Sequence, residues 1–419
     1  MRLITTGDMM HVHGGFGAQA DYTARISVKL DSPVDETILR RALAKAQKRY
    51  PYLNVHLKKG EGAFYYVKSP GPVALLHTDD RITLNSDETN GTVWAVCWNE
   101  DRIHLDTYHG VTDGTGMYRV LATLLYYYCN ERYGVTEQEG IGLAEDKIPP
   151  EELADPQDTI RPFACDIPTA VFVPAFTLET DGGLTPSEPT IWDVEIPEDA
   201  FIRFTSENDA SPGTMVSLIM ARAIDSLYPD RSKEIVSAYV INARPMLDAG
   251  KTYHNCLSMA IFNYDERVKG MPLTRQCTVY RGKTFAQSYG EAVRNSVARS
   301  AEGIREAARN AITVSDKKEV FKQMFNGGEG YVSFLVSYTG KWQYPALGEH
   351  IVELWAHPPN TFSLMVEIGA AGGKIFLSIQ QRFREDTIRE EFLGQLRKHG
   401  IPYEVKRVMG SDIARFPEP

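Results

Sequence analysis

The stretch Tyr108-His109-Gly110-Val111-Thr112-Asp113-Gly114 joins a predicted strand to a predicted helix and decides how the first part of the chain folds. Upstream, residues 92–98 and 102–109 have strand-like patterns, and a turn at residues 99–101 joins them. The strand period of two puts His109 at the end of a row of side chains that faces inward. The sequence therefore predicts a histidine held rigidly at a strand end, where it can meet a cavity.

A helical stripe of apolar residues begins just after Gly114. Its members are Met117, Leu121, Leu124, Leu125 and Tyr128. A neutral imidazole at the strand-to-helix junction suits general-base chemistry near neutral pH. The alternative is a buried His109 bonded to the backbone, with Asp113 as the helix cap. A catalytic zinc needs three protein ligands, and no further ligand lies at suitable spacing, so no metal site is predicted.

The segment resembles the H-H-x-x-x-D-G motif of the coenzyme A-dependent acyltransferase superfamily. This superfamily includes chloramphenicol acetyltransferase, the condensation domains of peptide synthetases, plant H-x-x-x-D acyltransferases and bacterial alcohol acetyltransferases. The resemblance implies that His109 is the catalytic base and that Asp113 is structural, with Gly114 completing the motif. Tyr108 stands where many members have the first histidine, a replacement that the plant branch also tolerates.

Two later segments fit the resemblance. The β-branched run 235–241 leads to Arg244, which the resemblance pairs with Asp113; a helix cap for Asp113 and a surface position for Arg244 are the alternatives. Residues 337–342 lie where related sequences place a glycine-containing segment, which makes Ser337 the first candidate for the oxyanion donor. Further candidates for this donor and for the lining of the substrate tunnel are Asn255, Ser258 and Tyr338.

The pattern along the chain predicts an α+β protein. Residues 1–133 are predicted to form a first half, 134–189 a crossover linker rich in Pro, Gly and acids, and 190–419 a second half. The resemblance implies that the halves are two similar chloramphenicol acetyltransferase-like α/β sandwiches with an active-site tunnel between them. Other predicted strands are 21–30, 54–58, 64–68, 190–196, 257–264, 331–338, 351–355, 362–368 and 374–380, and predicted helices are 214–227, 284–310 and 387–398.

Composition predicts a globular enzyme with two cores. Of the 419 residues, 43% are hydrophobic and 24% are charged, and the formal net charge is −10. This acidic balance argues against nucleic acid and anionic membrane surfaces as main partners. Neither a long apolar span nor an apolar core of signal-peptide length is visible, so a cytoplasmic protein without a membrane span is predicted. The five cysteines lack a C-x-x-C pair, which is typical of reduced thiols.

Other polar signals are predicted to be structural. The pair His11-x-His13 is predicted to lie in a mobile polar segment that can line the tunnel entrance, with metal binding as the alternative. His254 and Cys256 share a face of a predicted strand but lack a third orienting group, which disfavours a nucleophilic cysteine. The predicted helix 284–310 carries a stripe beginning at Phe285 that is expected to cover a sheet.

The resemblance and the predicted base together indicate acyl transfer from a thioester to a hydroxyl or an amine, without a bound metal or redox cofactor. Acyl-coenzyme A is the favoured donor and co-substrate, and a small alcohol or amine is the acceptor. An acyl carrier protein is the alternative donor. A binding or scaffold protein that keeps the fold without turnover is the alternative from another class, and the presence of both His109 and Asp113 counts against it.

Overall fold

Three β-sheets and the helices that cover them make up the described part of the protein. The computed structural model describes residues 2–15, 22–69, 71–164, 172–359 and 361–410. The strands in those ranges are β1 (Arg2–Leu3), β2 (Thr23–Leu30), β3 (Val55–Lys59), β4 (Phe64–Lys68), β5 (Leu75–His77), β6 (Trp94–Asn99), β7 (Arg102–Tyr108), β8 (Pro186–Pro197), β9 (Ile235–Asn242), β10 (Leu257–Tyr264), β11 (Phe334–Lys341), β12 (Ile351–His357), β13 (Leu364–Ala371), β14 (Lys374–Phe383) and β15 (Glu404–Gly410). The helices are α1 (Thr6–Met9), α2 (Glu36–Arg49), α3 (Gly114–Tyr133), α4 (Pro150–Leu153), α5 (Pro156–Thr159), α6 (Glu198–Glu207), α7 (Pro212–Leu227), α8 (Glu266–Lys269), α9 (Leu273–Ser288), α10 (Gly290–Asn310), α11 (Val314–Glu329), α12 (Pro345–Gly348) and α13 (Thr387–Lys398).

The first lobe is built on a five-stranded sheet in the order β12-β2-β7-β6-β5. Strands β6 and β7 form the predicted hairpin, and β7 leads into α3 through the motif. Helix α3 begins where the Asp113 carboxylate accepts a hydrogen bond from the Gly116 amide, and it ends at Gly134, whose φ of 76° suits glycine. The inward stripe of α3 packs with α2 in one apolar core, so the motif lies between two rigid elements.

The second lobe is built on a seven-stranded sheet in the order β10-β9-β11-β13-β14-β8-β15. Its largest core cluster contains apolar side chains from α6, α7, α9 and α13 together with those of the central strands. Helix α7 begins at the predicted Pro212 entry, where Ser211 and Thr214 form a reciprocal capping box. Two lobes of mixed helix and sheet confirm the predicted fold class.

Strand β12 joins the two lobes. It comes from the C-terminal part of the chain, yet it pairs antiparallel with β2 in the first lobe, from Ile351 opposite Leu30 to His357 opposite Arg25. This pairing satisfies the backbone groups along the outer edge of β2. The predicted linker contains α4 and α5, and β8 begins at Pro186, before the predicted start of the second half. The boundaries after residues 133 and 189 stay a prediction.

The predicted single helix over 284–310 is wrong. The structure has two helices, because the backbone of Tyr289 is extended (φ −61°, ψ 137°) and interrupts the helical repeat between α9 and α10. As a result, Phe285 is 75% exposed and Tyr289 50% exposed, and neither covers a sheet. The buried stripe of α10 starts only at Val293.

The N-terminal segment is ordered rather than a mobile polar stretch. Residues 2–14 form β1, α1 and a π-helical turn, Met10–Gly14. Strand β1 pairs with β4, and the amides of Thr6 and Gly7 donate to the carboxylates of Asp158 and Asp155. These long-range hydrogen bonds hold the two N-terminal histidines in fixed positions.

Candidate active site

His109 follows the last residue of β7, and its main chain is held on both sides. Its amide donates a hydrogen bond of 2.9 Å to the carbonyl of Tyr22, and its carbonyl accepts one of 2.9 Å from Nδ2 of Asn255. The first contact belongs to the first lobe and the second comes from the other lobe. His109 therefore sits where the lobes meet, and its position depends on both.

The imidazole of His109 lines a cavity of about 520 Å³ between the lobes. Its Nδ1 atom is buried. Burial lowers the pKa of His109 below its ordinary value, although its own carbonyl, the Asp113 charge and the Asn255 side chain act in the opposite direction. The ring is therefore neutral near pH 7, which is the form that can accept a proton.

A second imidazole, that of His11, lies against the first. The two rings stack with centroids 5.3 Å apart and an interplanar angle of 26°. Nδ1 of His11 forms a 2.7 Å hydrogen bond with the Tyr22 hydroxyl, and burial lowers the pKa of His11 to about 3. The pair His11-x-His13 is visible in the sequence as a candidate site. Nearly one hundred residues separate His11 from His109, so the sequence alone did not indicate that the two rings are in contact.

The Asp113 carboxylate forms a two-pronged ion pair with Arg244, with both N–O distances at 2.8 Å. Both side chains are about 1% exposed. The carboxylate also accepts from the amides of Gly116 and Cys256, at 3.1 and 3.0 Å. Burial disfavours the charged carboxylate, but the Arg244 charge and these hydrogen bonds outweigh it and hold the pKa of Asp113 below its ordinary range.

The predicted contact between Asp113 and Arg244 is confirmed, and the helix-capping alternative for Asp113 holds at the same time. The remaining donors of Arg244 reach the carbonyls of Thr252 and His254 and the side chain of Asn242. This arginine therefore connects the motif to the loop after β9, across the boundary between the lobes. The alternative of a surface position for Arg244 is wrong, because the residue is buried. The hydrogen bonds at each nitrogen of its guanidinium offset the cost of this burial.

The other predicted site residues divide into two groups. Ser337, Tyr338 and Asn255 line the same cavity as His109. Ser258 does not, because successive side chains of β10 alternate and its neighbours Leu257 and Met259 occupy the cavity face. The Ser258 hydroxyl instead lies 3.4 Å from the hydroxyl of Ser296, so it has no place in the proposed site.

Tyr108 packs beside Gly110, the residue after His109, and is not among the residues that line the cavity. A Cβ atom added at Gly110 would lie 2.3 Å from Cε1 of Tyr108, which is far inside contact distance. Gly114 has a milder constraint, because an added Cβ would lie 3.3 Å from the Thr339 side chain. These glycines allow the chain to pass closely beside its neighbours as it turns from strand into helix.

Replacing Gly110 by alanine is expected to lower the free energy of unfolding by about 1–3 kcal/mol, because the added methyl group displaces the Tyr108 ring. Urea denaturation measures this change. The control is Gly303→Ala in the interior of α10, where an added Cβ meets no atom within 4 Å. That variant is expected to gain up to about 1 kcal/mol from helix propensity. Equal effects of the two substitutions would contradict the packing argument.

His254 and Cys256 form no nucleophilic pair. Nδ1 of His254 lies 3.0 Å from the buried carboxylate of Asp8, which supplies its ion-pair partner. Burial raises the pKa of the Cys256 thiol to about 12, so the thiolate is scarce near neutral pH. Cys97, Cys129 and Cys277 are likewise free and buried, and Cys165 lies outside the described residues.

The described ranges contain neither a metal-binding cluster nor a membrane-spanning helix. Among these residues, no group of three or more His, Cys, Asp or Glu side chains has an arrangement that could hold a metal ion. None of the helices there combines the length and the apolar character needed to cross a bilayer.

The fold is shared with solved structures of low sequence identity. Polyketide synthase associated protein 5 from Mycobacterium tuberculosis is similar with a TM-score of 0.63 and 11% identity, over 94% of this chain and 96% of its own. TRI101 of F. graminearum, complexed with coenzyme A and T-2 mycotoxin, gives 0.61 and 12%, over 95% and 97%. The first condensation domain of the CDA synthetase gives 0.57 and 14%, over 95% of each chain.

These similarities extend over nearly the whole chain, and they show that it shares the two-lobed fold of these proteins. The resemblance inferred from the H-x-x-x-D-G motif is therefore confirmed at the level of the fold. No protein-family model and no curated protein matches the sequence. Donor, acceptor and residue roles consequently rest on the geometry of the cavity.

Proposed function

We propose that the protein is an acyltransferase that moves an acyl group from a thioester to a hydroxyl or amine acceptor, with His109 as the general base. The observation that carries this proposal is the neutral His109 ring, which lines the cavity and whose main chain is held by both lobes. A neutral imidazole can take the acceptor's proton as the nucleophile forms its new bond. The arrangement around His109 supports a base that is held in place rather than a mobile one.

The reaction needs one proton to travel from acceptor to leaving group. Nε2 of His109 takes the proton of the acceptor O–H or N–H while the oxygen or nitrogen attacks the thioester carbonyl. The tetrahedral intermediate then expels the thiolate, the C–S bond breaks, and the thiolate receives the proton from the imidazolium. His109 returns to the neutral form, so each turnover leaves the protein unchanged.

The oxyanion of the tetrahedral intermediate requires a hydrogen-bond donor. Ser337, the first candidate from the sequence, lines the cavity on β11, but its hydroxyl is hydrogen-bonded to the Glu367 carboxyl and would have to give up that bond to stabilise the oxyanion. Asn255 and Tyr338 line the same cavity as further donors. Asp113 has no direct part in this scheme, because its carboxylate is bonded to Arg244 and to two backbone amides. Its role is to hold the turn that carries His109.

The proposed donor is acyl-coenzyme A, with an acyl carrier protein as the alternative. Two fold neighbours represent these possibilities, one complexed with coenzyme A and one a condensation domain. The only Lys or Arg among the described residues that line the cavity is Arg25, which is paired with Asp106. Recognition of a coenzyme A phosphate would therefore use side chains outside the cavity lining.

Purified protein is expected to release thiol slowly from short-chain acyl-coenzyme A even without its acceptor, since water can take the acceptor's place beside His109. The measurement is thiol release from acetyl- and longer acyl-coenzyme A, with His109→Ala as the control. Reaction of an acylated carrier protein but of no acyl-coenzyme A would reassign the donor. Failure of both donors to bind would favour a binding or scaffold protein.

A further inference from the structure

Glu367 is a buried acid on the cavity wall contributed by β13. It is 5% exposed, lines the same cavity as His109 and was not predicted from the sequence. The Thr339 hydroxyl donates a 2.8 Å hydrogen bond to its Oε1 atom, and the Ser337 hydroxyl also bonds to it. Thr339 in turn lies against the motif glycine Gly114. The carboxyl group is thus held close to the turn that carries His109.

The described residues supply no positive charge for this carboxyl. No Lys, Arg or His of the described chain lies within ion-pair distance of Glu367, whereas buried Asp113 and Asp193 each face an arginine. Burial raises the pKa of Glu367 to about 7, although the hydrogen bonds from Ser337 and Thr339 act in the opposite direction. A cation that enters through the cavity would stabilise the ionised form of this buried carboxyl group.

The described groups around Glu367 do not supply the missing positive charge either. Tyr118 from α3 and Tyr239 from β9 face it, and burial raises the pKa of both phenols, so both are neutral. In the sheet, Glu367 of β13 pairs with Ser378 of β14, and Ser378 pairs in turn with Asp193 of β8. The charge of Asp193 is already compensated by Arg407, and His357 forms a hydrogen bond with the same carboxylate.

We propose that Glu367 is a binding site for the ammonium group of an amine-bearing acceptor. This inference rests on the proposed acyl transfer and narrows its acceptor from alcohols and amines in general to molecules that carry an amine. The ionised carboxylate accepts hydrogen bonds from the ammonium group, while Ser337 and Thr339 keep it in position. The apolar remainder of the cavity surrounds the carbon chain of the acceptor.

Binding of n-hexylamine and n-hexanol, measured by isothermal titration calorimetry at pH 6 and pH 8 without any acyl donor, tests the proposal. The alkylammonium is charged at both values, so its affinity should rise about tenfold from pH 6 to pH 8 as Glu367 ionises. At pH 8, hexylamine should bind at least about tenfold more tightly than hexanol, because only the amine offers a charge-assisted hydrogen bond.

Glu367→Gln should remove both the preference for the amine and its pH dependence, and Glu367→Asp should retain the pH dependence. The control Glu349→Gln removes one exposed charge from the same half of the chain and should change neither. Equal binding of amine and alcohol by the unaltered protein, or an unchanged preference in Glu367→Gln, would overturn the proposal. Because no acyl donor is present, these outcomes are independent of whether His109 acts as the base.

Discussion

Replacing His109 by alanine is expected to lower kcat/KM for acyl transfer by about 100- to 10,000-fold, the range typical of losing a general base. The fold should survive, since the main-chain hydrogen bonds of His109 to Tyr22 and Asn255 do not involve its ring. Thiol release measures the rate, and circular dichroism with thermal unfolding measures the fold. Wild-type-like rates in a folded variant would refute the mechanism.

The control for this substitution is His77→Ala, which removes an imidazole on β5 that stacks on Trp98 outside the cavity. Its rate should stay close to that of the unaltered protein. The pH profile gives an independent check. Because burial lowers the pKa of His109, the ring remains a neutral base at pH values below the ordinary pKa of histidine. The acidic limb of kcat/KM should therefore lie below pH 6.5, with activity rising as pH rises through it.

Asp113→Ala is expected to lower the free energy of unfolding by about 3–5 kcal/mol. The substitution leaves the buried Arg244 guanidinium without its charge partner, and it removes the side-chain cap of α3. Activity should fall as well, because the turn that carries His109 loses its anchor. Urea denaturation gives the stability, and the rate measured at low temperature separates the loss of fold from the loss of chemistry.

A double-mutant cycle with Arg244→Met distinguishes an ion pair from two independent roles. Replacing both residues should cost less than the sum of the single substitutions, because neither charge is then left buried alone. The control is Asp199→Ala, which breaks an exposed pair with Arg203 and should change stability little. An Asp113→Ala protein that is as stable as Asp199→Ala but inactive would indicate that Asp113 acts in the chemistry.

The local sequence pattern was sufficient to predict those features of the fold that depend on residues close together in the chain. The bounds predicted for β4, β10 and α13 agree with the structure because their apolar periods and turn residues lie within each segment. The end of β7 was also predicted from local pattern, although the strand ends at Tyr108, one residue before the predicted end at His109. The contact between Asp113 and Arg244 spans 131 residues, and only the resemblance to a known superfamily indicated it.

Features that depend on distant packing could not be predicted. The contact of His11 with His109 requires the N-terminal turn to fold onto the cavity, and no short-range pattern specifies that. Glu367 did leave a signal, a single acid between Val366 and Ile368 in an otherwise apolar strand. The pattern alone could not tell whether a lysine or arginine faces it, since that depends on the strands beside it and on the opposite lobe.

The pairing of β12 with β2 affects how the first lobe folds while the protein is being synthesised. The sheet of the first lobe remains incomplete until residues of β12 have left the ribosome, because β2 has no partner on that edge before then. An exposed strand edge in a partly made chain is prone to pair with another chain. The pairing of Leu30 with Ile351 spans most of the polypeptide, and such distant contacts slow folding. A ribosome-bound fragment ending before β12 would therefore present its open edge to chaperones while translation continues.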